Sequence, residues 1–211
     1  MIRNILFKIQ FFRAFMTLVK DPNQTERIFD MSASLRKRLK GQVPPAMQAI
    51  FKREDFQSVY ANRYNPKIDL EVLRKLPANT FGGSVARFLD LNGFEANTFP
   101  MIGEDTEMAY LISRIRQTHD LWHVLTGYGT GVQSELALQG FMMSQLGLAL
   151  PAMIIAGGIL HTVLMKPMEV LPTFEMIVEG YQRGKMAKSL SWVKALQQNR
   201  GNKGFTLRLV Y

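Results

Sequence analysis

His119, Asp120 and His123, with Glu135 further along, are the residues whose types and spacing carry chemistry in this 211-residue chain. On a helix advancing about 100° per residue, His123 falls about 40° from His119 and Asp120 about 100° from it, so the three side chains fan toward one point. The spacing is that of the H-E-x-x-H zinc motif with Asp in place of Glu; there the histidines bind the metal and the acid works as a general base. Three glycines in the five residues Gly127 to Gly131 then favour a left-handed helix cap and a turn. The chain doubles back, and Glu135, near the start of a second helix, can face the histidines. Two of the three histidines in the chain sit in this one pentapeptide. The set is compatible with a hydrogen-bonded buried network, but we favour a divalent cation, because an imidazole pair with two carboxylates is a common ligand set and costly to bury unpaired. With no cysteine in the chain, the donors are nitrogen and oxygen, and no disulfide contributes.

The elements that must position these residues read as helices. Asp21-Pro22-Asn23-Gln24 opens one that runs to about Ser34, with an acid to cap it and proline at its first position. Others fit Ala46 to Tyr60 and Asp69 to Leu76, and Thr80-Phe81-Gly82-Gly83 reads as a turn feeding a helix to Leu91, stopped by Asn92-Gly93. Asp105 is placed to cap a single long helix from Thr106 to Thr126 that bears the ligand cluster. A partner helix covers 132–149, Pro151 interrupts it, and helix resumes to about Met165, with a last helical region over 173–198 notched by Gly180 and Gly184. Only Phe205 to Tyr211 has strand character, and one strand has nothing to pair with. The expectation is an all-α, single-domain irregular helical bundle over 1–211, with the metal site on two adjacent antiparallel helices; the length suits one domain with a substantial core.

The excess of positive charge is confined to the ends. Residues 1–20 carry four Lys/Arg and no acid, residues 185–211 carry six and no acid, and the whole chain is +9, so the body from 21 to 184 is about neutral. Apolar residues interleave with those charges, which favours a lipid surface over nucleic acid. Over 1–20 a basic, apolar helix would present Ile2, Ile5, Ile9 and Met16 on one side and Phe7, Phe11, Phe15 and Leu18 on the other. That pattern suits contact with a membrane or another subunit, and equally a fully packed first helix. Lys8 and Arg13 interrupt the run and no small-residue cleavage site follows, so the segment is expected to stay attached. Leu146 to Met165 is free of formal charge and long enough to span a bilayer, yet Pro151, Gly157-Gly158 and His161 argue for a buried helix. Ala156, Gly157 and Gly158 could leave a slot for a linear isoprenoid tail, with Met142 and Leu146 lining it and methionine adapting to its shape.

The stretch from Tyr110 to His123, containing Arg114, Arg116 and His119-Asp120-Leu121-Trp122-His123, together with Gly127 and Glu135, resembles the H-D-x-x-H-x(11)-E signature of the fourth family in the ubiquinone (coenzyme Q) biosynthesis series. The resemblance extends upstream through Asp21-Pro22, Ile68-Asp69-Leu70 and Leu76-Pro77-Ala78-Asn79-Thr80-Phe81-Gly82. Downstream it continues through Gly184 to Leu190, before Trp192. It departs at Arg116-Gln117-Thr118, where an acidic residue is common. What the resemblance implies is an all-helical protein with a divalent metal (Mg, Zn or Fe) at His119, Asp120, His123 and Glu135, a site for a prenyl lipid or quinone precursor, and a membrane-peripheral role in organising other quinone-biosynthesis proteins. It also implies oxidative decarboxylation of the ring precursor as a linked activity.

Our first expectation is therefore a helical protein that binds a prenyl lipid or prenylated quinone precursor, with the metal at the headgroup and Arg114 or Arg116 adding donors, although surface ion pairing is the simpler role for at least one arginine. The alternative is a metal-dependent enzyme performing oxidative decarboxylation or hydroxylation of the quinone ring precursor, with Asp120 or Glu135 as a base and no catalytic residue otherwise assigned. A scaffold with a structural metal is the third reading. The expected partners are quinone-biosynthesis proteins, a second copy in a homodimer and a membrane surface, on the cytoplasmic side or an organelle's inner-membrane face, with no nucleic acid.

Overall fold

A computed structural model describes residues 12–13, 15–17, 19–21, 28, 31–34, 38, 41–65, 67–98 and 106–187. The expected helix over 21–34 and the N-terminal helix over 1–20 fall largely, and the strand character of 205–211 entirely, outside the described residues. Among those described, every regular element is helical: α1 (Pro45–Phe51), α2 (Glu54–Ala61), α3 (Leu70–Arg74), α4 (Phe81–Asn92), α5 (Glu107–Gln117), α6 (His119–Thr126), α7 (Val132–Leu146), α8 (Ala149–Met165), a 3-10 turn (Pro167–Glu169) and α9 (Val170–Met186). The all-α reading holds.

Local signals account for most of the helix ends. Asp69 Oδ1 accepts from Val72 N at 3.2 Å, and Thr80 Oγ1 accepts from Gly83 N at 3.1 Å, so both caps offset orphaned donors of a first turn. Gly93 and Gly127 end α4 and α6 with φ of 65° and 76°, the left-handed conformation that a side chain would strain. The cap of α5 is Thr106, whose Oγ1 accepts from Ala109 N at 3.2 Å.

Three expected elements differ in detail. Helix 46–60 is two helices: Arg53 takes extended backbone (ψ 135°), and its guanidinium grips Asp55 through two hydrogen bonds of 2.9 and 2.6 Å. The long helix 106–126 bends at Thr118 (φ −101°, ψ 4°), where the hydroxyl donates back to Arg114 O at 2.7 Å; such back-bonding by threonine bends helices. The partner helix stops at Gly147 (φ 61°) rather than at Pro151, which sits in the first turn of α8, where a missing N–H costs nothing.

The described residues divide into two compact units, one of those up to Gln48 together with 128–187, the other of those from Ala49 to Gly127. Within the second, Phe81, Val85 and Leu89 on α4 and Leu121 on α6 form a core, closed by Phe88, Val124 and Leu125. Beside it Phe56, Tyr60 and Tyr110 stack edge-on and face-on, and the Tyr110 hydroxyl donates to Tyr64 O at 2.8 Å. Within the first unit, α7 and α9 pack with almost no side-chain layer between them. A Cβ on Gly180 would stand 2.0 Å from Ala137 O, and one on Gly140 2.5 Å from Ile177 O. Leu136, Ile155 and Ile177 fill the adjoining core.

Candidate metal centre

His119 opens α6 and His123 stands one turn on, buried to 2% exposure. Their Nε2 atoms lie 3.2 Å apart with the rings nearly perpendicular. Two nitrogens on one tetrahedral ion at ordinary Zn–N distances are about 3.3 Å apart, so the pair is spaced as two ligands of one cation are. Glu135, half-buried in the first turn of α7, completes a group: one ligand atom from each of His119, His123 and Glu135 lies within 4.8 Å of the other two. Two neutral nitrogens and an anionic oxygen suit a divalent transition metal, so the donor set fits the cation the sequence calls for.

Asp120 is half-buried on α6 and does not join that group. Arg114 and Arg116 are two residues apart on α5, hence on different faces. Arg114 is buried beside a small cavity lined by Asp55, Tyr64 and Tyr110, where its Nη1 donates to Gln117 Oε1 at 3.1 Å and burial lowers its pKa. Arg116 is half-buried.

The positions expected to take an isoprenoid tail lie on α7 and α8. Met142 and Leu146 are buried and Ala156 is exposed. The room at Gly157 and Gly158 is filled by the chain itself: a Cβ at Gly157 would meet the Phe15 ring at 3.2 Å, and one at Gly158 the Leu136 side chain at 2.4 Å. The slot expected there is thus a pair of close contacts, because small residues in a helix draw neighbouring side chains in. Phe15 and Val19, from the segment expected to be a basic apolar helix, pack on this unit, and His161 Nδ1 lies 2.6 Å from Val19 O.

The sequence did not point to what fixes the rotation of α6. Thr118, Trp122 and Thr126 recur every four residues, all buried, with Trp122 Nε1 donating to Thr118 Oγ1 at 3.2 Å and Thr126 Oγ1 donating to Trp122 O at 2.7 Å. Phe88 stacks on the His123 ring at 5.4 Å between centroids, 18° from parallel. The i, i+4 recurrence was the available signal for the first; Phe88 had none, since its approach depends on how α4 packs on α6.

The sequence profile of the coenzyme Q (ubiquinone) biosynthesis protein Coq4 matches residues 52–199. The chain belongs to the Coq4 family. Ubiquinone biosynthesis protein COQ4 homologs described as mitochondrial are similar to it: that of Xenopus tropicalis is 39% identical over 83 residues, covering 38% of this chain and 30% of its own. The homolog of Nematostella vectensis is 40% identical over 84 residues, covering 38% and 40%. The COQ4 protein of Meyerozyma guilliermondii is 27% identical over 138 residues, covering 63% and 43%. The matched stretch is thus less than half the length of each of these relatives. A crystal structure of a ubiquinone biosynthesis protein from Nostoc punctiforme, 23% identical, superposes with a TM-score of 0.69 over 92% of this chain and 96% of that one, and shares the fold. Ubiquinone biosynthesis is the process in the description of the matching family.

Proposed function

We propose that this Coq4-family chain binds a prenyl lipid or prenylated quinone precursor at a divalent metal held by His119, His123 and Glu135, and that it works at a membrane surface among other quinone-biosynthesis proteins. The observation that carries the reading is the convergence of two imidazole nitrogens and a carboxylate oxygen within 4.8 Å. Imidazole donors favour zinc or iron over magnesium. A bound cation supplies charge to a phosphate or phenolate headgroup; the protein holds its ligands in place through the Thr118–Trp122–Thr126 ladder and the Phe88 ring. Arg114 or Arg116, on the helix before α6, would be the guanidinium to add a charged hydrogen bond to an anionic headgroup.

A second reading, metal-dependent oxidative decarboxylation or hydroxylation of the ring precursor, is favoured by the ligand count. Three protein ligands leave coordination positions open, as catalytic sites do, whereas structural sites are closed by four. Asp120, outside the group, would then be the base next to it.

Calorimetric titration of metal-loaded and chelator-treated protein with an isoprenyl phosphate and with a prenylated hydroxybenzoate tests the first reading. Saturable, metal-dependent heat supports it, and no heat with either ligand in the loaded protein sinks it. Product formation from the prenylated hydroxybenzoate, lost in Asp120→Asn with binding intact, moves the assignment to the enzyme.

A further inference from the structure

Arg114 on α5 is a buried cation, 7% exposed, that pairs with no carboxylate among the described residues. A guanidinium stays charged at any pH a protein meets and carries a fork of N–H donors. The one hydrogen bond this guanidinium makes among the described residues runs from Nη1 to the neutral amide oxygen of Gln117, at 3.1 Å. Its remaining nitrogens are not closed off by apolar atoms, and the residue lines a cavity between α2 and α5 with Asp55, Phe56, Tyr64, Tyr110 and Leu111. The acid on that cavity is already engaged. Arg53 binds both oxygens of Asp55, at 2.9 and 2.6 Å, and Phe56 N donates to Oδ1 at 2.9 Å. The titratable groups that act on the guanidinium are the phenols of Tyr110 and Tyr64, which offer hydroxyls and not the charge of a carboxylate. Tyr110 gives its proton to Tyr64 O at 2.8 Å, whereas the Tyr64 hydroxyl makes no hydrogen bond among the described residues. Burial lowers the Arg114 pKa accordingly.

Size and sign identify the ligand. The cavity is about 20 Å³, room for one or two water-sized groups and less than an aromatic ring or a phosphate ester occupies. Water fills such a space and leaves the charge unmatched, and an unmatched buried charge is among the costliest features a fold can hold. A small monovalent anion matches it, through charge-assisted bonds from the guanidinium and one from the Tyr64 hydroxyl.

We propose that Arg114 and Tyr64 form a binding site for one small monovalent anion, a halide or a single carboxylate group, in the cavity between α2 and α5. Nothing in this site depends on the metal or its headgroup; Arg114 takes the small anion and Arg116 is left as the guanidinium for a headgroup. The test is thermal melting of the full chain in sodium chloride or sodium formate against sodium gluconate, whose anion is too large for the cavity, at equal ionic strength so that screening is the same. Chloride or formate should raise Tm saturably, with the folding equilibrium shifted about tenfold when the anion stands at ten times its dissociation constant. The one that saturates at lower concentration tells a halide site from a carboxylate site. Gln117→Glu puts a carboxylate where the amide oxygen accepts from Arg114. That variant should be more stable than wild type in gluconate, with an anion-induced rise in Tm at least fivefold smaller. Arg114→Met should lose the rise altogether, and Gln117→Glu decides the matter if Arg114→Met does not fold. Crystals grown in bromide should show anomalous density within hydrogen-bond reach of Arg114. Equal melting in chloride, formate and gluconate, a Gln117→Glu protein that responds like wild type, or no bromide beside Arg114 overturns the assignment. So does a response that disappears when a chelator removes metal, because the anion then sits on the cation. Inorganic phosphate that stabilises wild type more than chloride does, and not Gln117→Glu, also overturns it, since the site then takes a larger anion of headgroup type.

Discussion

Replacing Gly180 with alanine tests how closely α7, the helix carrying Glu135, is clasped by α9. The new Cβ would stand 2.0 Å from Ala137 O and 2.8 Å from Ala137 C. Both are backbone atoms of a helix and neither can swing aside, so the helices must part by about 1 Å to restore ordinary contact. Overpacking of this kind costs about 1–3 kcal/mol, and a rigid backbone neighbour places the cost near the top of that range. Alanine recovers about 1 kcal/mol through its helix propensity. The net loss is about 2 kcal/mol, or about 4–8 °C in Tm for a chain of this size. Gly158→Ala is the internal comparison: its Cβ meets the far end of Leu136 at 2.4 Å, a side chain that can change rotamer, so the cost is about 1 kcal/mol or less. Differential scanning calorimetry of both variants gives the ranking. A Gly180→Ala protein as stable as wild type, or more stable than Gly158→Ala, would refute the close-packing argument.

Thr118→Val removes the hydroxyl that bends the chain before His119 and leaves the buried Trp122 Nε1 without its acceptor, a loss of about 1–3 kcal/mol; chemical denaturation followed by tryptophan fluorescence should show it, together with weakened metal binding. Burial raises the pKa of Tyr128 above its ordinary 10.0, so the folded state holds that proton more tightly than the unfolded chain does. Stability from this group is fully present below pH 10 and falls as pH rises from there through the folded value; alkaline melting curves should be flatter above pH 10 in Tyr128→Phe, and an unchanged slope would count against it. Glu135→Gln keeps the shape of the side chain and removes its charge, so metal affinity measured by competition with a chelator should drop at least tenfold with the helical spectrum retained.

Features set by neighbours in sequence were legible before the structure. Gly93 and Gly127 end helices, and the two-histidine pattern with Glu135 pointed to the group that converges. Features set by contacts distant in sequence were not. The bend at Thr118 looks like an ordinary helical residue until its hydroxyl is seen to bond back to Arg114 O, and nothing local marks Arg53 as a break. Gly180 and Gly184 read as interruptions of a helix, whereas they let α9 approach α7. Gly157 and Gly158 invited a tail-binding slot because a sequence shows the space a small residue leaves and not the Phe15 and Leu136 side chains that fill it. The ligand pattern also suggested four donors, while the group that converges within 4.8 Å consists of His119, His123 and Glu135.

The most direct measurement is electron paramagnetic resonance of the protein loaded with one equivalent of Cu²⁺ in place of its native ion, reading nitrogen couplings at the metal. The account predicts two directly bound imidazoles in wild type, one in His119→Ala and one in His123→Ala. Wild-type spectra with a single imidazole or none, or spectra unchanged in both variants, would contradict it.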